Sequence, residues 1–474
     1  MSLDPALGVQ FVAVVGEAWA RADAGSCARY GTDALMRGHP ADLVLLPETA
    51  AEVARIAALC HTHRVPLTVR GAGTGYTGGA VPVRGGILVS MERFNRILEI
   101  DEGNQLAVVQ ANVITGDLQR EVEARGLFYP PDPASLKQSA LGGNVAENAG
   151  GPRAVKYGTT RRYVLALEAV LPTGEIIRTG SKTVKNVVGY DLTQLLVGSE
   201  GTLAILTELT LRLVPKPAVQ ATLSAAFPGI DEAVDAVSRL LAARVVPATI
   251  EIIDAVSLGA VEAYLDRPVV PAGTGALVIA EVDGFPGGVE EEITRVASAC
   301  HAAGATEVRR ARDEAEREAL WEARRALSFA LRALAPRKIN HDLVVPRGRV
   351  PELFALVAAV RARHDLLIPC FGHAGDGNIH VNLMVDPAND DEMARAHLAE
   401  QELFAGVVAL EGSISGEHGI GFAKAPYLGL ELSPDVMALM ARVKAAFDPH
   451  GILNPGKMWE VDSRDQEIDP EIRR

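Results

Sequence analysis

The chain has 474 residues, with 46 Lys+Arg against 60 Asp+Glu and a formal net charge of −14. An acidic balance excludes nucleic acid as the main partner, because phosphate recognition needs clustered basic surface. With 48% apolar residues and no apolar run of the roughly 18 residues needed to span a bilayer, it reads as a globular chain, of about three domains or two large ones.

The opening Met1-Ser2-Leu3-Asp4 lacks a basic region followed by an apolar core, so it does not read as a secretory leader. Residues 1–37 read as a helical segment packing on the domain that follows. Short β-type runs come next at 67–69, 86–90, 106–109, 164–171 and 203–214. Glycine clusters at 71–86, 142–158 and 198–201 separate them. Pro215-Lys216-Pro217 is a boundary, since two prolines one residue apart stop helix and sheet alike. Beyond it, residues 230–243 have helical spacing, and strand-like runs return at 250–253 and 276–282. A charged helix is predicted over 313–334, a strand over 339–345 and a helix over 350–364. Residues 366–385 read as strand, loop, strand, and 395–410 and 434–447 as helices. The last dozen residues are charged and expected to fray. Cys27, Cys60, Cys300 and Cys370 lie far apart, which excludes a Cys-x-x-Cys motif and fits a reducing compartment.

Five glycines in residues 71–79 let a backbone take positive φ and bring main-chain N–H groups against a ligand. Gly73, Gly75 and Gly78 also satisfy GxGxxG. That match fails as a Rossmann fingerprint, which requires a helix to open at the loop; here Pro82 and a second β-type run follow. The clusters at 142–151, after Pro130-Pro131-Asp132-Pro133, and at 198–201 are read as two further loops. Three such loops on one mostly β scaffold suggest a single extended cofactor.

Seven of the 11 histidines lie between residues 341 and 450. In the run from Asn378 to Val385, Asn378, His380 and Asn382 alternate with Ile379, Val381 and Leu383, so one sheet face is polar. Two of these histidines with the glutamate of Gly416-Glu417-His418 would make a three-ligand set with an open position, the usual form of catalytic zinc. Imidazole and carboxylate also suit manganese, iron or cobalt. The alternative is a satisfied sheet histidine beside a polar turn. On the 313–334 helix, Leu320, Leu327, Leu331 and Leu334 form an apolar stripe that contains Arg324, with Ser328 one turn on. A charge there needs an anionic partner: either an internal carboxylate or the carboxylate of a substrate.

These stretches together, at 70–79, 131–133, 142–151, 198–203, 371–382, 416–419 and 453–457, resemble the flavin-dependent D-2-hydroxyacid dehydrogenases. That group includes D-lactate and D-2-hydroxyglutarate dehydrogenases and the large subunit of bacterial glycolate oxidase. The resemblance implies an α+β chain: an FAD-binding domain of the vanillyl-alcohol oxidase (PCMH) type over 38–217, and an α+β substrate cap with an antiparallel sheet and a metal site over 218–440. The segment 441–474 would return to the flavin domain. FAD would be non-covalent, since the first loop has Thr74 and no histidine. By the same resemblance it would contact Arg70, Gly71, Ala72, Gly73, Thr74, Gly75, Tyr76 and Gly78 in the first loop. Pro131, Asp132, Ser139, Gly142, Gly143, Asn148, Gly150, Tyr157 and Gly158 would follow, then Glu200, Gly201, Leu203, Ile205 and Asn454. His373, His380 and Glu417 would bind a divalent metal, with zinc the first choice, and His418 would be the catalytic base. Arg324 would hold the substrate carboxylate, with Ser328, Lys338 and Asn382 beside it.

The implied activity is oxidation of D-2-hydroxyglutarate, D-lactate or glycolate to the 2-keto acid. With no cysteine cluster and no second nucleotide fingerprint, electrons would leave to a separate acceptor: an electron-transfer flavoprotein, an iron–sulfur subunit or a quinone. The expected location is cytoplasmic, or peripheral to the inner face of a membrane through that acceptor, and a homodimer is the default assembly. Two rivals are a non-catalytic FAD-binding subunit of a larger complex and a metal-dependent hydrolase.

Overall fold

A computed structural model describes residues 3–458; the charged tail expected to fray lies outside them. The chain divides into two compact units. The first holds the chain up to Ala149, Thr159–Lys216 and the chain from Glu417 onward; the second holds Gly150–Gly158 and Pro217–Gly416.

In the first unit, β1 (Ala20–Arg21), β2 (Leu43–Leu45), β3 (Leu67–Arg70) and β4 (Ile87–Ser90) form a sheet in the order β1-β2-β4-β3. β3 and β4 run parallel, with Leu67 opposite Ile87. The glycine-rich segment between them opens no helix, so the GxGxxG match is not a Rossmann turn. The helix Ala50–His63 is capped by Thr49, whose hydroxyl accepts from the Glu52 amide at 3.2 Å. Glu52 in turn accepts from the Glu48 amide at 2.7 Å. Its Val53, Ile56, Ala57 and Cys60, at helical spacing, enter a core with Phe11, Leu45, Val89, Ile452 and Leu453.

A second, antiparallel sheet has the order β5-β6-β10-β8-β9. It is built from β5 (Ile97–Asp101), β6 (Leu106–Gln110), β8 (Val164–Val170), β9 (Ile176–Gly180) and β10 (Ile205–Arg212). A two-residue ladder joins β7 (Leu127–Phe128) to β11 (Val214–Pro215). Pro215 therefore ends a sheet edge, where a missing N–H is tolerated, and the unit boundary falls one residue later, after Lys216.

The second glycine cluster is not the loop expected. Leu141–Glu147 is a helix, closed by Asn148 in the left-handed region at φ 54°. A Cβ on Gly142 would stand 2.8 Å from the Ala111 Cβ and carbonyl oxygen. Its glycine serves close approach of a helix to a neighbouring backbone rather than a turn.

The second unit is built on one seven-stranded, fully antiparallel sheet, ordered β15-β12-β14-β13-β17-β18-β16. The strands are β12 (Val219–Phe227), β13 (Thr249–Asp254), β14 (Ala276–Gly284), β15 (Glu307–Arg310), β16 (Arg337–Val344), β17 (Cys370–His373) and β18 (Asn378–Val385). The helices Ile230–Ala242 and Pro286–Ala302 pack on β12 and β14. The charged helix runs Glu314–Ala330, with Asp313 accepting from the Glu316 amide at 2.9 Å as its cap, and continues as a 3-10 turn, Leu331–Ala333. Trp321, Leu327 and Leu331 are buried against Ile253, Leu277, Phe371 and Met384. Leu334 falls beyond the helix and is exposed, so the apolar stripe is one residue shorter than expected.

The chain leaves the second unit after Gly416, earlier than the expected boundary at 440. The cause is local. Gly416 N–H donates to Asp342 Oδ2 at 2.9 Å, while five residues later Gly421 N–H donates to Glu200 at 2.6 Å.

Candidate functional site

Antiparallel register decides which side chains of the second unit share a face, because directly opposed residues point the same way. Glu251 opposes His373, Phe371 opposes His380, Asn382 opposes Asn340, and Lys338 opposes Met384. Alternation then gathers Glu251, His373, His380, Asn382, Asn340, Lys338 and Asp342 on one face. It is the face against which Arg324 projects from the charged helix.

The polar face is closely organised. His373 and His380 meet edge to face, with ring centroids 5.2 Å apart, and His380 lies 5.1 Å from the Phe371 ring. Glu251 Oε1 lies 2.5 Å from His373 Nδ1, and Glu251 Oε2 accepts from Arg324 Nε. Burial alone would push the Glu251 carboxyl up, but Arg324 and His373 overcome it and hold the group down at about 2. The arginine on the core face thus has an internal carboxylate partner, as one of the two sequence readings required. Its terminal nitrogens make no hydrogen bond among the described residues, and its Cζ stands 4.8 Å from the Phe371 ring centre.

Lys338 Nζ donates to Ser328 Oγ at 2.7 Å. Burial, then the charge of Arg332, pushes this ammonium down to about 8. Asn340 Nδ2 donates to Asn382 Oδ1 at 2.6 Å, and Asn382 Nδ2 bonds the carbonyls of Pro369 and His380. Ser328, Lys338 and Asn382 are thus brought onto the face of Arg324, but Asn382 is spent on neighbouring groups.

In the first unit, the loop 71–79 and the start of the Leu141–Glu147 helix come together. A Cβ placed on Gly71 would meet Ala140 Cβ at 3.4 Å, Asn112 Oδ1 at 3.7 Å and Gly143 N at 3.9 Å. A Cβ on Gly75 or Gly143 would meet nothing within 4 Å, so a bound group has room against both backbones. Asn112 Oδ1 is buried without a hydrogen-bond partner among the described residues. Open glycine backbone at a helix start suits a phosphate, and the buried Asn112 oxygen suits a hydrogen-bond donor, a combination that fits a cofactor such as FAD.

Several expected cofactor contacts have their polar groups committed elsewhere. Arg70 turns its guanidinium to the carbonyls of Tyr30 and Thr32. Asn148 Oδ1 accepts from Arg161 N at 2.9 Å and Thr159 Oγ1 at 3.0 Å. Ser139 Oγ lies 3.0 Å from Thr115 Oγ1, and the Pro131 carbonyl accepts from Gln119. Leu203 and Ile205 are core residues. Gly150, Tyr157 and Gly158 belong to the second unit, where the Tyr157 hydroxyl donates to Asp283 at 2.7 Å. Asn454, at φ 46°, uses its side-chain amide on the carbonyls of Glu200 and Gly79, at 2.7 and 3.0 Å.

His418 lies in the first unit, on a segment with neither helix nor strand to fix it. Glu200 fixes it instead, accepting from Ile420 N at 2.7 Å and Gly421 N at 2.6 Å. Burial pushes the Glu200 carboxyl up, and those two amides partly offset this. Thr77 Oγ1 donates to the His418 carbonyl at 3.2 Å, and the Thr77 carbonyl accepts from Phe422 N at 3.1 Å. The His418 ring sits 5.2 Å from that of Tyr76, on the glycine loop. Glu417 precedes it, and both side chains are half-buried, at 16% and 15% exposure.

Sequence reasoning assigned no role to Glu251 and read Glu200 as a cofactor contact. A signal for Glu251 existed. It interrupts Ile250-Glu251-Ile252-Ile253, and a carboxylate inside a β-branched run must find a cationic or N–H partner.

Residues 41–180 match a family model described as an FAD binding domain, and residues 216–458 match that of the C-terminal domain of FAD-linked oxidases. The chain belongs to the FAD-linked oxidase family. Glycolate oxidase subunit GlcD of Bacillus subtilis is 46% identical to this chain over 423 residues, 89% of this chain and 90% of that one. GlcD of Escherichia coli is 39% identical over 88% of this chain and 83% of its own. D-lactate dehydrogenase of Anaerostipes hadrus is 38% identical over 88% and 89%. Among solved structures, p-cresol methylhydroxylase has the same fold, with a TM-score of 0.79 at 18% identity over 96% of this chain and 98% of that one. The chain is therefore an FAD-linked oxidoreductase with a fold of the vanillyl-alcohol oxidase type, an FAD-binding domain and a domain built on an antiparallel sheet. No helix among the described residues is long and apolar enough to cross a membrane.

Proposed function

We propose that this oxidase converts a D-2-hydroxy acid, of the class of D-lactate, glycolate or D-2-hydroxyglutarate, to the 2-keto acid. The observation that carries the reading is Arg324. It is a nearly buried guanidinium whose Nε is held by Glu251 and whose terminal nitrogens are free of protein acceptors among the described residues. A guanidinium so placed suits a carboxylate. Relatives named as glycolate oxidase and D-lactate dehydrogenase support the substrate class.

FAD, bound along the 71–79 loop and the Leu141–Glu147 helix, supplies an acceptor for the C2 hydride. A divalent metal, zinc the first candidate, would be held by His373, His380 and Glu417 and would supply Lewis acidity at the 2-hydroxyl. The donor set fits: two neighbouring imidazoles, one with its Nδ1 against a carboxylate, plus a glutamate. Arg324 orients the substrate through its carboxylate. His418, on a segment pinned by Glu200 and Thr77, takes the hydroxyl proton as general base. Lys338 offers a second cationic contact for a dicarboxylate. Electrons then pass to a separate acceptor, a flavoprotein, an iron–sulfur protein or a quinone.

The test is a panel of D- and L-2-hydroxy acids with an artificial dye as acceptor. Turnover confined to D-2-hydroxy acids and glycolate, lost in Arg324→Met, supports the reading. Turnover of none of them removes it.

A further inference from the structure

Glu251 performs no chemical step in the proposed reaction, yet its side chain is fully buried on the polar face. Each oxygen serves a different side chain: Oε1 lies 2.5 Å from His373 Nδ1, and Oε2 accepts from Arg324 Nε. Neutralising Arg324 needs only one of these bonds. The second fixes the proton of His373 on Nδ1, which leaves the Nε2 lone pair for a ligand. The bond to Nε likewise sets the plane of the Arg324 guanidinium, which Phe371 flanks at 4.8 Å. Its terminal nitrogens are then pre-aimed for a carboxylate, which needs a fixed fork.

The same sheet face offers an internal comparison. Glu281 is as enclosed, at 3% exposure. It accepts from Thr222 Oγ1 at 2.6 Å and Trp321 Nε1 at 3.1 Å, and stands 3.6 Å from Arg317. It touches none of the residues proposed to act on metal or substrate. Burial of a carboxylate is therefore common to both positions, and the link between an imidazole and a guanidinium is particular to Glu251.

We propose that Glu251 is a positioning residue that couples two functions: it presents His373 Nε2 to a divalent cation and aims Arg324 at the substrate carboxylate. The proposal rests on the 2-hydroxy acid reaction above. Loss of this one carboxylate disturbs metal affinity and substrate affinity together, though neither ligand touches it.

The experiment uses the full chain reconstituted with FAD, as parent, Glu251→Gln, Glu251→Asp and Glu281→Gln. Zinc is titrated into the metal-stripped proteins, and flavin reduction by D-lactate or glycolate, whichever the parent prefers, is followed anaerobically. Glu251→Gln is expected to weaken zinc binding by about 10–100-fold, the range for lost outer-shell partners. It should also raise the half-saturating hydroxy acid concentration by more than it lowers the limiting reduction rate. Glu251→Asp, one methylene too short to serve both partners fully, should fall between. Glu281→Gln should lower the melting temperature and leave both affinities unchanged. A folded Glu251→Gln protein with parental zinc affinity and parental half-saturation overturns the proposal. If that variant does not fold, parental values in Glu251→Asp overturn it equally. A parent that binds no zinc, and whose flavin no 2-hydroxy acid reduces, would instead remove the reaction on which the proposal rests.

Discussion

His418 is placed by a carboxylate and a hydroxyl. Glu200 takes the amides of residues 420 and 421, and Thr77 Oγ1 bonds the His418 carbonyl. Replacing His418 with Asn keeps the size and a hydrogen-bonding group but removes the base. Flavin reduction should slow by about 10²–10⁴-fold, the usual worth of a positioned base, with little change in melting temperature; anaerobic stopped-flow absorbance reads it. Lys338 gives a pH prediction. Burial holds its folded-state pKa down at about 8, below the ordinary lysine value of 10.5. Between those values the unfolded chain binds more protons, so stability rises with pH across that window. Lys338→Met should therefore be more stable than the parent at pH 7, with the advantage shrinking toward pH 10; melts at the two pH values check this. The sequence disclosed His373, His380 and Arg324 because each is a polar type on an apolar or alternating pattern. It concealed Glu251, whose role lies in pairing across two strands and a helix, and Glu200, whose partners are main-chain amides more than 200 positions away.

At the scale of elements, glycine had two meanings that composition could not separate. At 71–79 it is loop, as expected. At Gly142 it lets a helix approach Ala111 closely. The positions open to solvent or cofactor give a clean test. Gly143→Ala adds a methyl where nothing lies within 4 Å, inside a helix where alanine is favoured over glycine by about 1 kcal/mol. The apoprotein should melt no lower than the parent, while flavin retained on desalting should fall at least several-fold; absorbance of the desalted protein measures it. Strands with a strong β-branched or alternating pattern, such as β18, were legible to within a residue. Exposed edge strands such as β5 and β15 were not, because both are short and face mostly solvent, leaving no buried face to set a pattern.

For the whole molecule, the chain's return to its first unit is secured by Lys444 in the helix Pro434–Phe447. Its ammonium is buried and bonds the carbonyls of Thr202 and Leu453, at 2.7 and 2.8 Å, and Asp448 Oδ2 at 2.6 Å. Lys444→Met leaves Asp448 buried without its cation and should cost about 3–5 kcal/mol, the usual effect of breaking a buried pair, read as a lowered urea midpoint. The net charge of −14 gives Arg324 and Lys338 their wider meaning: an anionic substrate must find local cations on an acidic protein. The central claim is that a D-2-hydroxy acid reduces the flavin of this chain. The direct measurement is anaerobic mixing of the FAD-loaded protein with D-lactate, glycolate and D-2-hydroxyglutarate, each beside its L-enantiomer where one exists. The visible flavin absorbance should bleach with at least one of these acids and with no L-enantiomer, and Arg324→Met should abolish the bleaching. Flavin that stays oxidised with all of them would contradict the account.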